Sequence, residues 1–389
     1  MTTLPTPDVF QCARINERKH PERLSRRVSL SIVCPPEISC SFKMPGKRVF
    51  IVGPGFIGWN VLDLLVAEGY QVTGLVRRKE HAEGIERSGA KAILGDLHDE
   101  SLVAEESAKS DIIFHTATAD DLPSVVSVLE GLRQRATRGQ STIYIHTSGT
   151  SVLDDGANGA FLNEKVYDDR EPADIDALPD DAFHRHVDLH IVRTAKQLGE
   201  KAKIAIMIPP EIYGYNSKHD RLTIQLPTIA RFALVNGHAG YVGKGLSVES
   251  QIHVLDLARG YLVLLHAMEQ RDPSWVLQNP YFFCENGKEF SWKEVGNHIA
   301  DSLYKAGRIK EPLCREFSEH EFDQLFGPFT GASIGLNSRS RAARLRELGW
   351  EPKEKGIWQS WEQDELPAVL REWDARKGQK TSTYAVTVA

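Results

Sequence analysis

At 389 residues the chain is long enough for two or more domains, and a hydrophobic content of 41% is ordinary for a globular protein. A net charge of −6 argues against a nucleic-acid partner held by bulk electrostatics, and no apolar run approaches the roughly 18 residues that a membrane span requires. The cysteines Cys12, Cys34, Cys40, Cys284 and Cys314 form neither a Cys-x-x-Cys pair nor a regular framework, which suits a reducing compartment and a cytoplasmic location.

Residues 1–43 carry five prolines, a basic cluster at Arg23, Arg26 and Arg27, and no sustained periodicity, so they read as an irregular extension. Asp8, Glu17, Glu22 and Glu37 are many acids for a mitochondrial presequence, and no secretory h-region is present. Met44 opens Met-Pro-Gly-Lys-Arg just before the first strand, which leaves a targeting segment and a later gene start as open readings.

The first regular element is the apolar strand Arg48-Val-Phe-Ile-Val, which runs into Gly53-Pro-Gly55-Phe56-Ile57-Gly58. Gly-x-Gly-x-x-Gly between a strand and a helix is a dinucleotide fingerprint. Gly53 allows the tight turn, Gly55 lets backbone N–H groups approach a pyrophosphate, and Gly58 permits close packing. Phe56 and Ile57 lie in the same turn, where the positive end of a helix would face phosphate. Ile57, Val61, Leu64 and Leu65 recur at helical spacing, with Gly69 as a C-terminal cap. A second strand, Gln71-Val-Thr-Gly-Leu-Val76, ends in Arg77-Arg78-Lys79. An acid there would bind a ribose 2′-hydroxyl, whereas arginine accommodates a 2′-phosphate, so NADP is expected over NAD.

Further apolar runs follow at Ala92–Leu94, Asp111–His115, Thr142–His146 and Ile204–Ile208, with helical patterns at 122–132 and from about 183 to 201. Strands alternating with helices imply right-handed crossovers and an α/β, doubly wound parallel sheet of Rossmann type. The expected organisation is an extension over 1–43, a dinucleotide-binding core over 44–214, a smaller substrate-binding region over 215–377 with helices returning to the core, and a tail over 378–389. Within the third part, Arg339 to Leu348 reads as a charged helical segment. Gly243-Lys-Gly245 lacks the full phosphate-loop pattern and reads as a turn.

In the order of its motifs, the chain from about 46 to 352 resembles the short-chain dehydrogenase/reductase superfamily, in the extended and atypical branch that includes epimerase/dehydratase-like proteins. The resemblance places Asp96 and Leu97 of Gly95-Asp96-Leu97 near the adenine. It aligns Thr116-Ala117-Thr118 with the small-residue stretch after the fourth strand, and Pro209-Pro210 through Gly214 with the turn after the sixth. Ile252-His253-Val-Leu-Asp256-Leu-Ala258, Asn337-Ser-Arg339 and Leu348-Gly349-Trp350 match later family segments. It also implies a homodimer as the family's common assembly.

One family feature is absent: none of the ten tyrosines has a lysine four residues later. By position, the family's Tyr-x-x-x-Lys pair falls near Phe183-His184-Arg185-His186-Val187-Asp188-Leu189-His190. That offset sets His184 and Asp188 in place of Tyr and Lys, with His186 and His190 as the alternative. Imidazole, with an ordinary pKa of about 6.5, is a competent proton donor near neutral pH. The family's catalytic hydroxyl belongs to the turn holding Thr147, Ser148 and Thr150; Ser148 is the first choice, polarising a substrate carbonyl. A zinc site on the three histidines is a weaker reading than a solvated helix start, so no metal is expected. The expected activity is NADP-dependent reduction of an aldehyde or ketone of a small metabolite. The alternatives are a non-catalytic NADP-sensing regulator and a nucleotide-sugar epimerase or dehydratase.

Overall fold

The computed structural model describes residues 46–376; the extension read over 1–43, the tail from 378, and Cys12, Cys34 and Cys40 lie outside them. The first half alternates as expected: β1 (Arg48–Val52), α1 (Gly58–Ala67), β2 (Gln71–Val76), α2 (Lys79–Arg87), β3 (Lys91–Leu94), α3 (Glu100–Lys109), β4 (Ile112–His115), α4 (Leu122–Thr137) and β5 (Thr142–Thr147). A short strand β6 (Tyr167–Asp168) and helix α5 (Pro172–Asp176) precede α6 (Arg185–Leu198) and β7 (Ala202–Ile208). The chain continues through β8 (Glu211–Tyr213), α7 (Gln225–Asn236), β9 (Ala239–Tyr241), β10 (Val248–His253), α8 (Val254–Gln270), α9 (Ser274–Gln278), β11 (Tyr281–Phe283), β12 (Glu289–Ser291) and α10 (Trp292–Lys305).

Seven strands form one parallel sheet in the order β11-β7-β5-β4-β1-β2-β3. The central strands are continuous apolar runs because helices cover both faces; Phe50, Ile51, Val52, Ile112, Ile113, Phe114 and Ile145 are fully buried. Local chemistry sets the helix ends. Gly69, at φ +89°, follows the last turn of α1, and Asp121 accepts a hydrogen bond from the Ser124 N–H at 2.8 Å to cap α4, worth about 1 kcal/mol. The chain reverses direction across the sheet between β1 and β4, whose carboxyl ends open the crevice where ligands bind such sheets.

A second apolar core gathers Tyr213, Leu226, Phe232, Trp292, Ile299 and Trp361, whereas α8, β11 and Trp350 pack into the core of the large sheet. The segment after Gly214 therefore contributes to both. The charged stretch from Arg339 is not the continuous helix expected: it is a strand at Ser340–Arg341 and a short helix at Ala343–Glu347. Its arginines are fastened into the protein rather than solvated along a helix face. Arg344 donates to the carbonyls of Asn279 and Tyr281 at 2.8 and 2.7 Å, and Arg339 and Arg341 both pair with Glu289. Among the described residues no helix is long and apolar enough to cross a membrane.

Candidate active site

The three fingerprint glycines answer to three different constraints. Gly53 has φ +80°, and a Cβ there would lie 2.3 Å from the Cβ of Ala117, so the turn after β1 presses on the chain leaving β4. At Gly58 a Cβ would lie 2.2 Å from Thr116 Oγ1. Thr116 itself donates to the Gly53 carbonyl at 2.7 Å, so Thr116 and Ala117 act as the wall that holds the glycine turn. Gly55 differs: a Cβ there would meet only the Gly53 carbonyl oxygen, at 3.9 Å. The space above it is open, and the start of α1 lies beside it with no acidic residue in its first turn. This cradle fits a dinucleotide pyrophosphate, which Phe56, Ile57 and Gly58 would hold through backbone N–H groups, while the Gly55 N–H donates to the Gly53 carbonyl at 2.7 Å and its missing Cβ leaves the space open.

Arg77 and Arg78, just after β2, are exposed. Asp96 and Leu97 are half-buried beyond β3, where the Asp96 carboxylate accepts from the His98 N–H at 3.1 Å. Pro209 is buried, and its carbonyl accepts the Thr150 N–H at 3.0 Å, so it fastens β7 to the turn after β5.

That turn and the start of α6 bring the proposed chemical groups together. Ser148 donates its hydroxyl hydrogen to Asp188 at 2.9 Å, and both are buried. The neighbouring hydroxyls are engaged elsewhere: Thr147 with Tyr261 at 2.6 Å, and Thr150 with Ser338 at 3.1 Å. His184 stands just before α6 at φ +64°, a conformation uncommon outside glycine and concentrated at functional positions. Its Nδ1 lies 2.7 Å from Asp120, and a Cβ on Gly149 would be 3.2 Å from its Nε2. One ring nitrogen is thus held by a carboxylate while the other lies against the residue after Ser148.

Asp120 was not singled out in the sequence, where it reads as one of two acids before a helix. Asp121 is the one that caps α4, leaving Asp120 to His184. Burial raises the Asp120 pKa, but the hydrogen bond and charge of His184, with His186, outweigh it and hold the carboxyl below its usual range. Of the alternative pair, His186 is exposed, and His190 is half-buried with its pKa lowered by burial and by Arg133 and Arg193. Among the described residues no three metal-ligating side chains are grouped as a metal site.

Burial pushes the Asp188 carboxyl up to about 7, against the lowering effect of Ser148 and of the nearby His184 and Arg185. The folded state therefore holds a proton that the unfolded chain releases near pH 4, so this group's contribution to stability falls as pH rises from about 4 to about 7. Asp188→Asn keeps an acceptor for Ser148 and removes that loss. Its stability relative to the wild type should be greater at pH 8 than at pH 4 by on the order of 1 kcal/mol or more, read as a melting-temperature difference that shrinks as pH falls toward 4. A constant offset across that range would contradict the assignment.

A family model described as NAD(P)H-binding matches residues 53–168. An oxidase, ucsJ, of an Acremonium species is 28% identical over 79% of this chain and 93% of its own length. A 4-hydroxy-2-methyl-3-oxo-4-farnesyl-3,4-dihydroquinoline-1-oxide ketoreductase of Stigmatella aurantiaca is 32% identical over 28% of this chain and 35% of its own. The UDP-glucose 4-epimerase of Thermotoga maritima superposes with a TM-score of 0.57 at 18% identity, over 85% of this chain and all of that one. Residues 53–168 thus carry an NAD(P)H-binding domain, and the chain shares its Rossmann-like α/β fold with that epimerase. Within that fold, Ser148 stands in the turn after β5 that the resemblance assigns to the catalytic hydroxyl, and His184 and Asp188 occupy the start of α6, where the superfamily's Tyr-Lys pair was expected.

Proposed function

We propose that this protein is an NADP-dependent reductase of an aldehyde or ketone, working through Ser148, His184 and Asp188 in place of a Tyr-Lys pair. The observation that carries the reading is the His184 ring, held at Nδ1 by Asp120 and set at Nε2 against the residue next to Ser148. When bound, the reduced nicotinamide supplies the hydride. The chain's own residues then handle one oxygen and one proton. Because Nδ1–H donates to Asp120, His184 gives its proton as an imidazolium from Nε2 and is left as the neutral Nδ1–H tautomer. Ser148 donates to the same oxygen as negative charge develops there. A protonated Asp188, whose carboxyl sits at about 7, can donate to Ser148 Oγ and free the serine hydrogen for the substrate.

An exposed aromatic pair begins at the residue before His184. Phe183 and Phe329 meet edge to face with ring centroids 6.4 Å apart, and both are exposed. This suits a carbonyl compound carrying an apolar group. Purified protein should oxidise NADPH against a panel of such aldehydes and ketones, and Ser148→Ala should lower kcat by about 10²- to 10³-fold. Cofactor binding without turnover on any member of the panel, or a Ser148→Ala variant with the wild-type kcat, would count against the reading.

A further inference from the structure

Away from the glycine turn, the loop over residues 214–223 is strapped across the start of α1. Asn216 donates to Asn60 Oδ1 at 2.6 Å, Lys218 and His219 reach Asp63 at 2.8 and 2.7 Å, and the His219 ring stacks on Trp59 with centroids 4.2 Å apart. An isolated bridge between Asn216 and Arg221 folds the loop back on itself. It delivers the Arg221 guanidinium to a point 5.5 Å over the Trp59 ring and 2.9 Å from His81 Nε2, on a residue 140 positions away. His81 stands in the first turn of α2, immediately beyond Arg77 and Arg78.

This arrangement brings cations together, and among the described residues no carboxylate is ion-paired with Arg77, Arg78 or Arg221. A guanidinium can only donate, so His81 accepts from Arg221 and is neutral there. Burial lowers the pKa of His81 to about 4, aided by Arg221, Arg78 and Arg77, with Glu80 alone opposing. Burial also lowers that of Arg221, and Arg78 adds repulsion. Gathering partly desolvated positive charge is unfavourable unless an anion completes it. A packing role on Trp59 would not require the guanidinium to donate to His81, in the first turn of the helix that follows Arg77 and Arg78.

We propose that Arg221 is the third arm of a phosphomonoester subsite with Arg77 and Arg78, and that its ligand is the 2′-phosphate of the cofactor's adenosine. The inference rests on the NADP reading above and adds to it a residue from the loop after Gly214, 143 positions beyond Arg78. The loop that covers α1 thereby becomes the element that distinguishes the two dinucleotides.

Calorimetric titration of the full chain with NADP and NAD, and with adenosine 2′,5′-bisphosphate against adenosine 5′-monophosphate, tests it. Arg221→Ala should weaken NADP and the bisphosphate by about ten- to a hundredfold and leave NAD and the monophosphate within about twofold. Arg221→Gln, which keeps a donor for His81 and a stem on Trp59 but no charge, should show the same selective loss and guards against a misfolded alanine variant. Equal weakening of both dinucleotides would overturn the proposal in favour of a loop anchor. An unchanged preference for NADP in both variants would overturn the third arm and leave Arg77 and Arg78 standing. A wild-type protein that holds NAD as tightly as NADP would overturn the NADP reading itself, and the subsite with it.

Discussion

His184→Ala should lower turnover by about 10²- to 10⁴-fold while cofactor affinity stays within about twofold of the wild type, because in the proposed mechanism the ring moves a proton, and its polar partner is Asp120 rather than the glycine turn. Asp120→Asn should give an intermediate loss of kcat and move the alkaline limb of the pH profile to lower pH, since the amide can still accept from Nδ1–H but no longer stabilises the imidazolium by charge. A purely structural role for His184 would show as a lowered melting temperature with proportionate loss of activity and an unmoved pH profile. Stopped-flow turnover across pH 5 to 9, with melting curves on the same samples, separates these outcomes.

The second large effect concerns the cradle. Gly55→Val should fold with nearly the wild-type melting temperature, since a Cβ at that position meets nothing closer than 3.9 Å, yet lose dinucleotide affinity by on the order of a hundredfold or more, since the side chain would occupy the space left for phosphate. Gly53→Ala should behave differently. Its φ of +80° costs an alanine about 1–2 kcal/mol, and its Cβ would sit 2.3 Å from that of Ala117, so this variant should lose both stability and binding. Fluorescence titration paired with thermal melts reads the contrast. A Gly55→Val protein that binds cofactor normally would remove the cradle from the account.

The strand-glycine-helix unit was legible because each glycine obeys a local rule, and β4, β5 and β7 because buried parallel strands are written as largely apolar runs. The three residues of β11 were too short and too uniformly aromatic to separate from a loop. The segment from Arg339 misled because its arginine spacing resembles a charged helix, while the structure uses those guanidinium groups against Glu289 and the carbonyls of Asn279 and Tyr281. In the candidate site, His184, Asp188 and Ser148 could be named because position relative to β5 and β7 survives the loss of the tyrosine and lysine themselves. Asp120 and Arg221 could not, because nothing near them in the chain marks them. Asp120 acquires meaning only where the chain leaving β4 meets the start of α6, and Arg221 only where its loop folds back across α1.

The most direct test of the central claim is to follow NADPH consumed and alcohol formed in one reaction of purified protein with a carbonyl substrate, alongside His184→Ala. Consumption and formation in equal amounts, with both lost in the variant, is the predicted result. Conversion of substrate with no net loss of NADPH, or an undiminished rate in His184→Ala, would contradict it.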